Sequence, residues 1–98
     1  MNFNDKVYNL CKLIPKGKVS TYKEIALALN SKGYRAVGNA MNKNHYAPVV
    51  PCHRVVASNG HLQGFAHGLD IKRKLLESEG IKIKNNKIID LDNVLFKF

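Results

Sequence analysis

Apolar residues between positions 3 and 14 recur at i, i+4, i+7, i+8 and i+11, which places them on one face of a helix. This spacing predicts a first helix over about Asn4–Ile14. Asn2 or Asn4 can cap its start, and Pro15 cannot continue it. Cys11 lies on the apolar face, so we expect this cysteine to be a core residue.

Two further helices are predicted next in the chain. Thr21 and Glu24 form the capping box T-x-x-E, which predicts a helix that begins at about Tyr22 and ends near Asn30. Its expected apolar side consists of Ile25, Leu27, Ala28 and Leu29. The next helix is expected over about Tyr34–Lys43, with an inward face of Val37, Ala40 and Met41. Two short helices joined by a glycine-containing turn indicate a helix-turn-helix at about residues 21–43, although a plain helical hairpin has the same pattern.

The stretch PVVPCHRVV at residues 48–56 predicts a different kind of structure. Valines on both sides of Cys52 indicate extended segments buried against a core. The two prolines bias the residues before them away from helix, so Cys52 is expected at a rigid corner. Asn59-Gly60 is a strong turn signal, and Val55-Val56 with Leu62 could flank it as a small ribbon or wing.

A last clear helix is predicted from Leu69 or Asp70 to Glu79, with Gly80 as its C-cap. Its expected apolar stripe consists of Ile71, Leu75 and Leu76. Residues 81–83 and 87–91 around Asn85-Asn86 indicate a terminal hairpin. Together these elements predict a mainly α fold, a single small helical domain over residues 1–98 with a winged helix-turn-helix and a short β ribbon.

Composition narrows the class of protein. A chain of 98 residues with 45% hydrophobic residues is expected to form one globular domain. No apolar run approaches about 18 residues and no signal-peptide pattern opens the chain, so we expect a cytoplasmic protein with no membrane partner. In a reducing compartment Cys11 and Cys52 are expected as thiols rather than as a disulfide.

Positive charge is concentrated in the first two thirds of the chain. The formal net charge is +9, and residues 1–68 carry nine Lys or Arg against two acids. Such an excess indicates a polyanionic partner, with nucleic acid the first candidate. Because 13 of the 16 basic residues are lysine, a solvated lysine-rich surface is the alternative.

Cys52 is the candidate nucleophile. The basic neighbours His53 and Arg54 could stabilise its thiolate, which is the reactive form of a cysteine. An inert buried cysteine is an equally weighted alternative. A Cys/His pair needs a third group to orient the histidine, and Glu77 and Glu79 are both candidates that spacing does not separate.

Metal and cofactor signatures are absent from the sequence. The four histidines and Cys52 fit no ligand spacing of a structural zinc site, and there is no C-x-x-C. No glycine-rich phosphate loop of the P-loop or dinucleotide type is present. We therefore expect neither a metal nor a cofactor.

The motif PCHRV at residues 51–55 closely resembles the O6-alkylguanine-DNA alkyltransferase family. It is preceded by RAVG at residues 35–38 and followed by a glycine-bounded loop, Gly64–Gly68, and by Glu79-Gly80. The resemblance covers about residues 3–82 and corresponds to the family's C-terminal active-site domain. It implies a single-turnover DNA repair transferase, a methylated-DNA–protein-cysteine S-methyltransferase, whose cysteine irreversibly takes an alkyl group from O6 of guanine.

The resemblance also assigns catalytic roles. Cys52 corresponds to the alkyl acceptor, and His53 to the base that deprotonates it through a water. Glu79, which directly precedes the helix-ending glycine, corresponds to the carboxylate that polarises the histidine. Tyr22 corresponds to the tyrosine that donates a proton to the departing guanine, and Asn44 to the asparagine that braces the active-site turn.

DNA contacts are implied in the same way, with double-stranded DNA containing O6-alkylguanine as partner of a monomeric protein. Arg35 corresponds to the arginine that enters the base stack when the nucleotide is extruded. The family presents its helix-turn-helix to the minor groove, and the residues expected at that contact are Thr21, Ala36, Gly38 and Asn39. The expected pocket consists of the Val55 carbonyl, the backbone of Phe65 and Ala66, and Lys72.

Some positions depart from the family pattern. Phe65, Ala66 and His67 stand where Tyr, Ser and Gly are usual, and His45 and Ala47 replace prolines. The family also has an alkyltransferase-like branch of similar short length that binds O6-alkylguanine without transfer, usually with another residue, often Trp, in place of the cysteine. Cys52 favours the enzyme, and the short chain favours the lesion-binding protein. A helix-turn-helix regulator that senses alkylation through its cysteine is the remote third hypothesis.

Overall fold

The computed structural model of the protein describes residues 2–31, 33–43, 50–63 and 68–98. Its helices are α1 (Phe3–Cys11), α2 (Tyr22–Ala28), α3 (Tyr34–Asn42), α4 (Leu69–Ser78) and α5 (Leu91–Val94). Its strands are β1 (Ser20–Thr21), β2 (Val55–Val56), β3 (Ile83–Lys84) and β4 (Lys87–Ile88), and a 3₁₀ turn covers Cys52–Arg54. The predicted mainly helical class is confirmed. Among the described residues, no helix has the length and apolar character needed to cross a membrane.

The first helix is fixed by its two ends. The Asn2 side chain accepts a hydrogen bond from the Asp5 backbone N–H at 2.8 Å, which is an N-cap. The helix ends at Cys11, three residues earlier than predicted, because the N–H of Ile14 bonds to the carbonyl of Cys11 in a tight turn before Pro15. Cys11 is fully buried, as predicted.

The helix-turn-helix is set by local capping. The Thr21 hydroxyl accepts from the Glu24 N–H at 3.0 Å, as the capping box predicts. Asn30 has a φ of +56°, and the Ser31 N–H returns to the Ala26 carbonyl at 2.8 Å, which stops α2 in a Schellman motif. The predicted apolar side of α2 is confirmed at Ile25 and wrong at Leu27, which is 57% exposed, and at Ala28, which is also exposed. The helix instead turns its Ile25–Ala26 side to the core.

The inward face predicted for α3 is confirmed. Val37, Ala40 and Met41 are buried and join a cluster built mainly from α1, α2 and α3. The Tyr8 hydroxyl donates to the Ala40 carbonyl at 2.7 Å, which ties α1 to α3. The opposite side of α3, with Arg35, is left exposed.

The strand pairing differs from the expected ribbon. β2 pairs in parallel with β1, Ser20 opposite Val55 and Thr21 opposite Val56. The expected turn at Asn59-Gly60 does form, since Gly60 has a φ of +89°. The turn could not predict that β2 pairs with β1, because β1 lies far away in sequence. Val55 and Val56 point to opposite faces and belong to two separate buried clusters, so β2 joins them.

The stripe predicted for α4 is confirmed at Leu76 and wrong at Ile71. Leu76 is fully buried and Leu75 is half-buried, whereas Ile71 is 48% exposed and the neighbouring Lys72 is fully buried in its place. The helix ends as predicted: Gly80 has a φ of +89°, and the Ile81 N–H bonds to the Leu76 carbonyl at 3.1 Å.

The chain after α4 packs back onto the domain. β3 and β4 form the predicted hairpin, and Asn85 and Asn86 both have positive φ, as a two-residue type I′ turn requires. The short helix α5 was not predicted. Beyond it the Phe96 N–H bonds to the Val19 carbonyl at 2.7 Å, and the Val19 N–H bonds to the Val94 carbonyl at 2.9 Å.

Replacing Phe96 by alanine tests whether this tail stabilises the domain. Because the half-buried ring packs against the core cluster of α1–α3, Phe96→Ala should lower the free energy of unfolding by about 2 kcal/mol. Urea denaturation followed by circular dichroism measures this. The neighbouring exposed substitution Lys97→Ala is the control and should change stability by less than about 0.5 kcal/mol. Equal stability of the two variants would show that packing of the Phe96 ring does not contribute to stability.

Candidate active site and DNA-binding face

Cys52 opens the 3₁₀ turn that leads into β2, the strand that joins the two buried clusters. Its backbone N–H bonds to the Val50 carbonyl at 2.8 Å, and the Arg54 N–H bonds to the Pro51 carbonyl at 2.9 Å, so the turn is closed on both sides. Cys52 is 4% exposed and His53 is 3% exposed. A buried, hydrogen-bonded corner of this kind holds the sulfur in one place.

His53 is paired with Glu79 at the end of α4. His53 Nε2 lies 3.0 Å from Glu79 Oε2. Burial lowers the pKa of His53 below its ordinary value, although Glu79 opposes this effect. Burial raises the pKa of Glu79, but hydrogen bonds from Arg54 and His53 outweigh it, and the net pKa is lowered. An ionised carboxylate can only accept, so Nε2 carries the proton and Nδ1 of the neutral imidazole keeps the lone pair of a base.

Arg54 fixes the position of that carboxylate. Its Nε donates to Glu79 Oε1 at 2.9 Å and its Nη2 donates to Oε2 at 2.7 Å, a bidentate pair. Its Nη1 donates to the Ile14 carbonyl at 2.8 Å. The alternative carboxylate, Glu77, is half exposed and lies 3.8 Å from Arg73. The geometry therefore brings Glu79 and not Glu77 to His53.

Lys72 lies on the other side of the same turn. Its side chain is fully buried, and Nζ donates to the Val55 carbonyl at 2.6 Å and to the Gln63 carbonyl at 2.5 Å. Burial lowers the pKa of Lys72 to about 8, with the charge of an ionised Cys52 acting in the opposite direction. Lys72 thus connects Val55, directly after the Cys52–Arg54 turn, to Gln63.

Tyr22 is held against this lysine at the start of α2. Its hydroxyl donates to the Gln63 carbonyl at 2.8 Å, and Lys72 Nζ lies 6.0 Å from its ring centroid. Burial raises the pKa of Tyr22 to about 12, and the charges of ionised Cys52 and Cys11 act in the same direction. Tyr22 therefore keeps its proton at neutral pH and can serve as a donor.

The predicted DNA-contacting residues of α3 share an open face. Arg35, Ala36 and Asn39 are exposed, and Gly38 is half-buried. Beside them lies a groove of about 430 Å³ that also includes Tyr22 and Gln63 in its walls. Thr21 is not part of this exposed face: it is 3% exposed and its hydroxyl caps α2. Its DNA contact stays a prediction.

Several predicted positions lie outside the described residues. They are Asn44, His45, Ala47, Phe65, Ala66 and His67. The roles expected for Asn44 in bracing the turn, and for Phe65 and Ala66 in the base pocket, stay predictions.

Three contributions were missed by the sequence analysis. The carbonyl of Gln63 accepts from both Tyr22 and Lys72, and the carbonyl of Ile14 accepts from Arg54. Backbone acceptors leave no signal in the residue type, so no pattern could have identified them. Tyr34 lines the groove beside Arg35. It could have been found from the sequence, because it is an aromatic residue in α3 that lies outside the predicted inward face of that helix.

The model of the family "6-O-methylguanine DNA methyltransferase, DNA binding domain" matches residues 2–81. The chain belongs to this family. It is 48% identical over 83 residues to the methylated-DNA–protein-cysteine methyltransferase of Sulfolobus acidocaldarius, covering 85% of this chain and 52% of that protein. It is 53% identical over 79 residues to the Methanosarcina acetivorans protein of the same name, covering 80% and 51%.

Solved structures show the same fold. S. pombe Atl1 in complex with damaged DNA containing O6-carboxymethylguanine has a TM-score of 0.86 and 35% identity, covering 98% of this chain and 95% of that one. Mycobacterium tuberculosis OGT in complex with DNA has a TM-score of 0.77 and 40% identity, covering 81% and 50%. The curated relatives are longer than this chain, which spans about half the length of those it matches.

The ion-pair network at Glu79 should be visible in stability as a function of pH. Because the folded-state pKa of Glu79 is below its ordinary value, its ionised form stabilises the fold above the unfolded pKa of about 4.3. Glu79→Gln should lower the free energy of unfolding at pH 7 by about 2–3 kcal/mol. The deficit should shrink as the pH falls from about 4.3 through the lowered folded-state pKa, because the carboxylate is protonated first in the unfolded chain and only at lower pH in the folded protein.

Denaturant titrations between pH 3 and pH 7 measure the effect. Glu77→Gln, on the exposed side of the same helix, is the matched control and should be close to wild type throughout. A deficit of Glu79→Gln that does not depend on pH would contradict the role of its charge.

Proposed function

We propose that this protein repairs DNA by transferring an alkyl group from O6-alkylguanine in duplex DNA to Cys52, once and irreversibly. The observation that carries the proposal is the pairing of buried His53 with Glu79 at 3.0 Å, directly beside a buried cysteine. A neutral histidine oriented by a carboxylate is the arrangement that activates a thiol nucleophile. The curated relatives named methylated-DNA–protein-cysteine methyltransferase support the same reaction.

The proposed reaction balances as a single displacement. Cys52 Sγ attacks the alkyl carbon, the S–C bond forms and the C–O6 bond breaks. The thiol proton passes through a bridging water to His53 Nδ1, and Glu79 stabilises the resulting imidazolium. Guanine leaves with the electron pair of the broken bond. It accepts a proton from the Tyr22 hydroxyl, and the proton on His53 restores the tyrosine through solvent.

Lys72 supports the leaving-group step in this proposal. Its ammonium fixes two carbonyls, of Val55 and Gln63, that flank the turn and Tyr22. Carbonyl oxygens have a second lone pair, so the Val55 carbonyl can still accept from an amino group on guanine. Lys72 thereby positions the hydrogen-bonding groups that surround the base.

The exposed face of α3 is the proposed DNA contact. Arg35 is exposed beside small residues that allow close approach of a backbone, and the first 68 residues carry most of the net positive charge. Extrusion of the target nucleotide is required because O6 is inaccessible within the stack. In this proposal Arg35 fills the vacated space. Binding should weaken as salt rises because phosphate contacts release counterions.

The transfer is tested by incubating the protein with a duplex that contains one O6-methylguanine and measuring peptide masses. Cys52 should gain one methyl group. Cys11 is the internal control, because burial raises the pKa of its thiol to about 12 and keeps it unreactive. Cys52→Ala should bind the duplex but gain no methyl group. Tight lesion binding by the wild type without methylation of Cys52 would reject transfer.

A second candidate function is lesion binding without transfer. It is favoured by the match to S. pombe Atl1, whose structure is in complex with damaged DNA. This match covers 95% of the Atl1 chain and 98% of the present one, so it includes the tail after α4. In this case the protein would hold O6-alkylguanine and signal to other repair proteins. The mass measurement above separates the two, since both predict binding and transfer alone predicts methylation.

Substitution of Gly38 separates DNA contact from folding. Apart from the neighbouring residues and the backbone of α3 itself, no atom of the described residues lies within 4 Å of a Cβ placed at Gly38. Gly38→Ala should therefore not disturb packing and should raise the free energy of unfolding by about 0.5–1 kcal/mol. Because the added methyl group stands on the proposed DNA face, affinity for duplex DNA should fall severalfold in fluorescence anisotropy. Unchanged affinity in a correctly folded variant would place the DNA elsewhere.

A further inference from the structure

Tyr34 begins α3 and is 50% exposed, although it is one of the largest apolar side chains of the helix. It lines the groove of about 430 Å³, whose other walls include Tyr22 and the helix face bearing Arg35. The groove is thus bordered by two aromatic rings. Tyr22 is anchored by its hydroxyl to the Gln63 carbonyl, and Tyr34 belongs to neither buried cluster.

The chemistry of the groove points to a ligand. Arg35 supplies a cation, and Asn39 and Asn42 supply amide donors and acceptors. None of the described residues that line the groove is a carboxylate. A single exposed tyrosine needs no explanation by itself. An exposed tyrosine that shares a groove with amides and a guanidinium, on the most basic part of the chain, has the features of a site for an anionic, aromatic ligand.

We propose that this groove binds an unpaired nucleobase of the bound DNA, with the Tyr34 ring as its stacking surface. Every base presents a π-face, so stacking on tyrosine is tolerant of sequence. The amides of Asn39 and Asn42 can bond to base edges, which are exposed only when a base is unpaired. Arg35 balances the adjacent phosphate charge.

This inference rests on the proposed function, because extrusion of the damaged guanine leaves its partner base without a pair. The base that occupies the groove is then either this orphaned base or an unpaired base of a single-stranded segment next to the lesion. Both present the same chemistry. Tyr22 and Gln63 border both this groove and the expected place of the damaged guanine at Cys52. Tyr34 stands instead at the start of α3 beside Arg35, so stacking on its ring adds a second base contact and does not repeat the first.

Tryptophan fluorescence tests the stacking directly, because the chain contains no tryptophan. Tyr34→Trp should be quenched by a duplex with O6-methylguanine and by a single strand. Placing an abasic site opposite the lesion identifies the source: quenching lost in that duplex assigns the orphaned base, and quenching retained assigns another unpaired base. Leu13→Trp, at a residue that is 59% exposed and does not line the groove, is the control. Quenching of Tyr34→Trp no greater than that of Leu13→Trp would overturn the proposal.

Affinity provides an independent measurement. Tyr34→Ala should bind single-stranded DNA roughly tenfold more weakly, as expected for the loss of one stacked base, whereas Tyr34→Phe should stay within about twofold of wild type. Circular dichroism confirms that both variants are folded. Equal losses in both variants, or none in either, would reject stacking on the ring.

The same samples keep the two proposals apart. If Cys52 is methylated but Tyr34→Trp is not quenched, the stacking site is rejected and alkyl transfer stands. If Tyr34→Trp is quenched but Cys52 is never methylated, alkyl transfer is rejected, and the groove stands as part of a lesion-binding protein.

Discussion

The carboxylate of Glu79 is the group on which the geometry of the candidate active site depends. It accepts two hydrogen bonds from Arg54 and one from His53, at 2.7–3.0 Å. Arg54 also donates to the Ile14 carbonyl, so one ion pair connects the ends of α1 and α4 to the turn that carries Cys52. Because a nearly buried carboxylate and guanidinium are costly to leave unpaired, these elements can move only together.

A single helix supplies both charged groups that flank this turn. Lys72 and Glu79 are seven residues apart, two turns of α4, and therefore lie about 10 Å apart on one side of the helix. Lys72 holds the Val55 carbonyl after the turn, and Glu79 holds His53 within it. The register of α4 thus determines the orientation of the histidine and of the carbonyls together. Gly80, by stopping the helix at φ +89°, fixes where that register ends.

Local features of this fold were predictable and long-range ones were not. The caps at Thr21 and Gly80 depend on neighbours within four residues, and the structure contains both. The pairing of β2 with β1 joins residues 35 positions apart, for which the sequence of a two-residue strand holds no signal. The burial of Lys72 in place of Ile71 was not predicted for a related reason. The acceptors of Lys72 are backbone carbonyls, which every residue possesses. For the site, the resemblance named Glu79, and spacing alone could not separate it from Glu77.

The tail after α4 belongs to the structural unit that carries the site. The family model ends at residue 81, yet both backbone hydrogen-bonding groups of Val19 are taken by residues 94 and 96. Val19 directly precedes β1, which leads through Thr21 into the helix-turn-helix. Without the tail this edge of the β1–β2 pair would expose unpaired backbone groups. The tail therefore supports the strand from which Tyr22 and α2 are positioned, although it lies outside the part of the chain that defines the family.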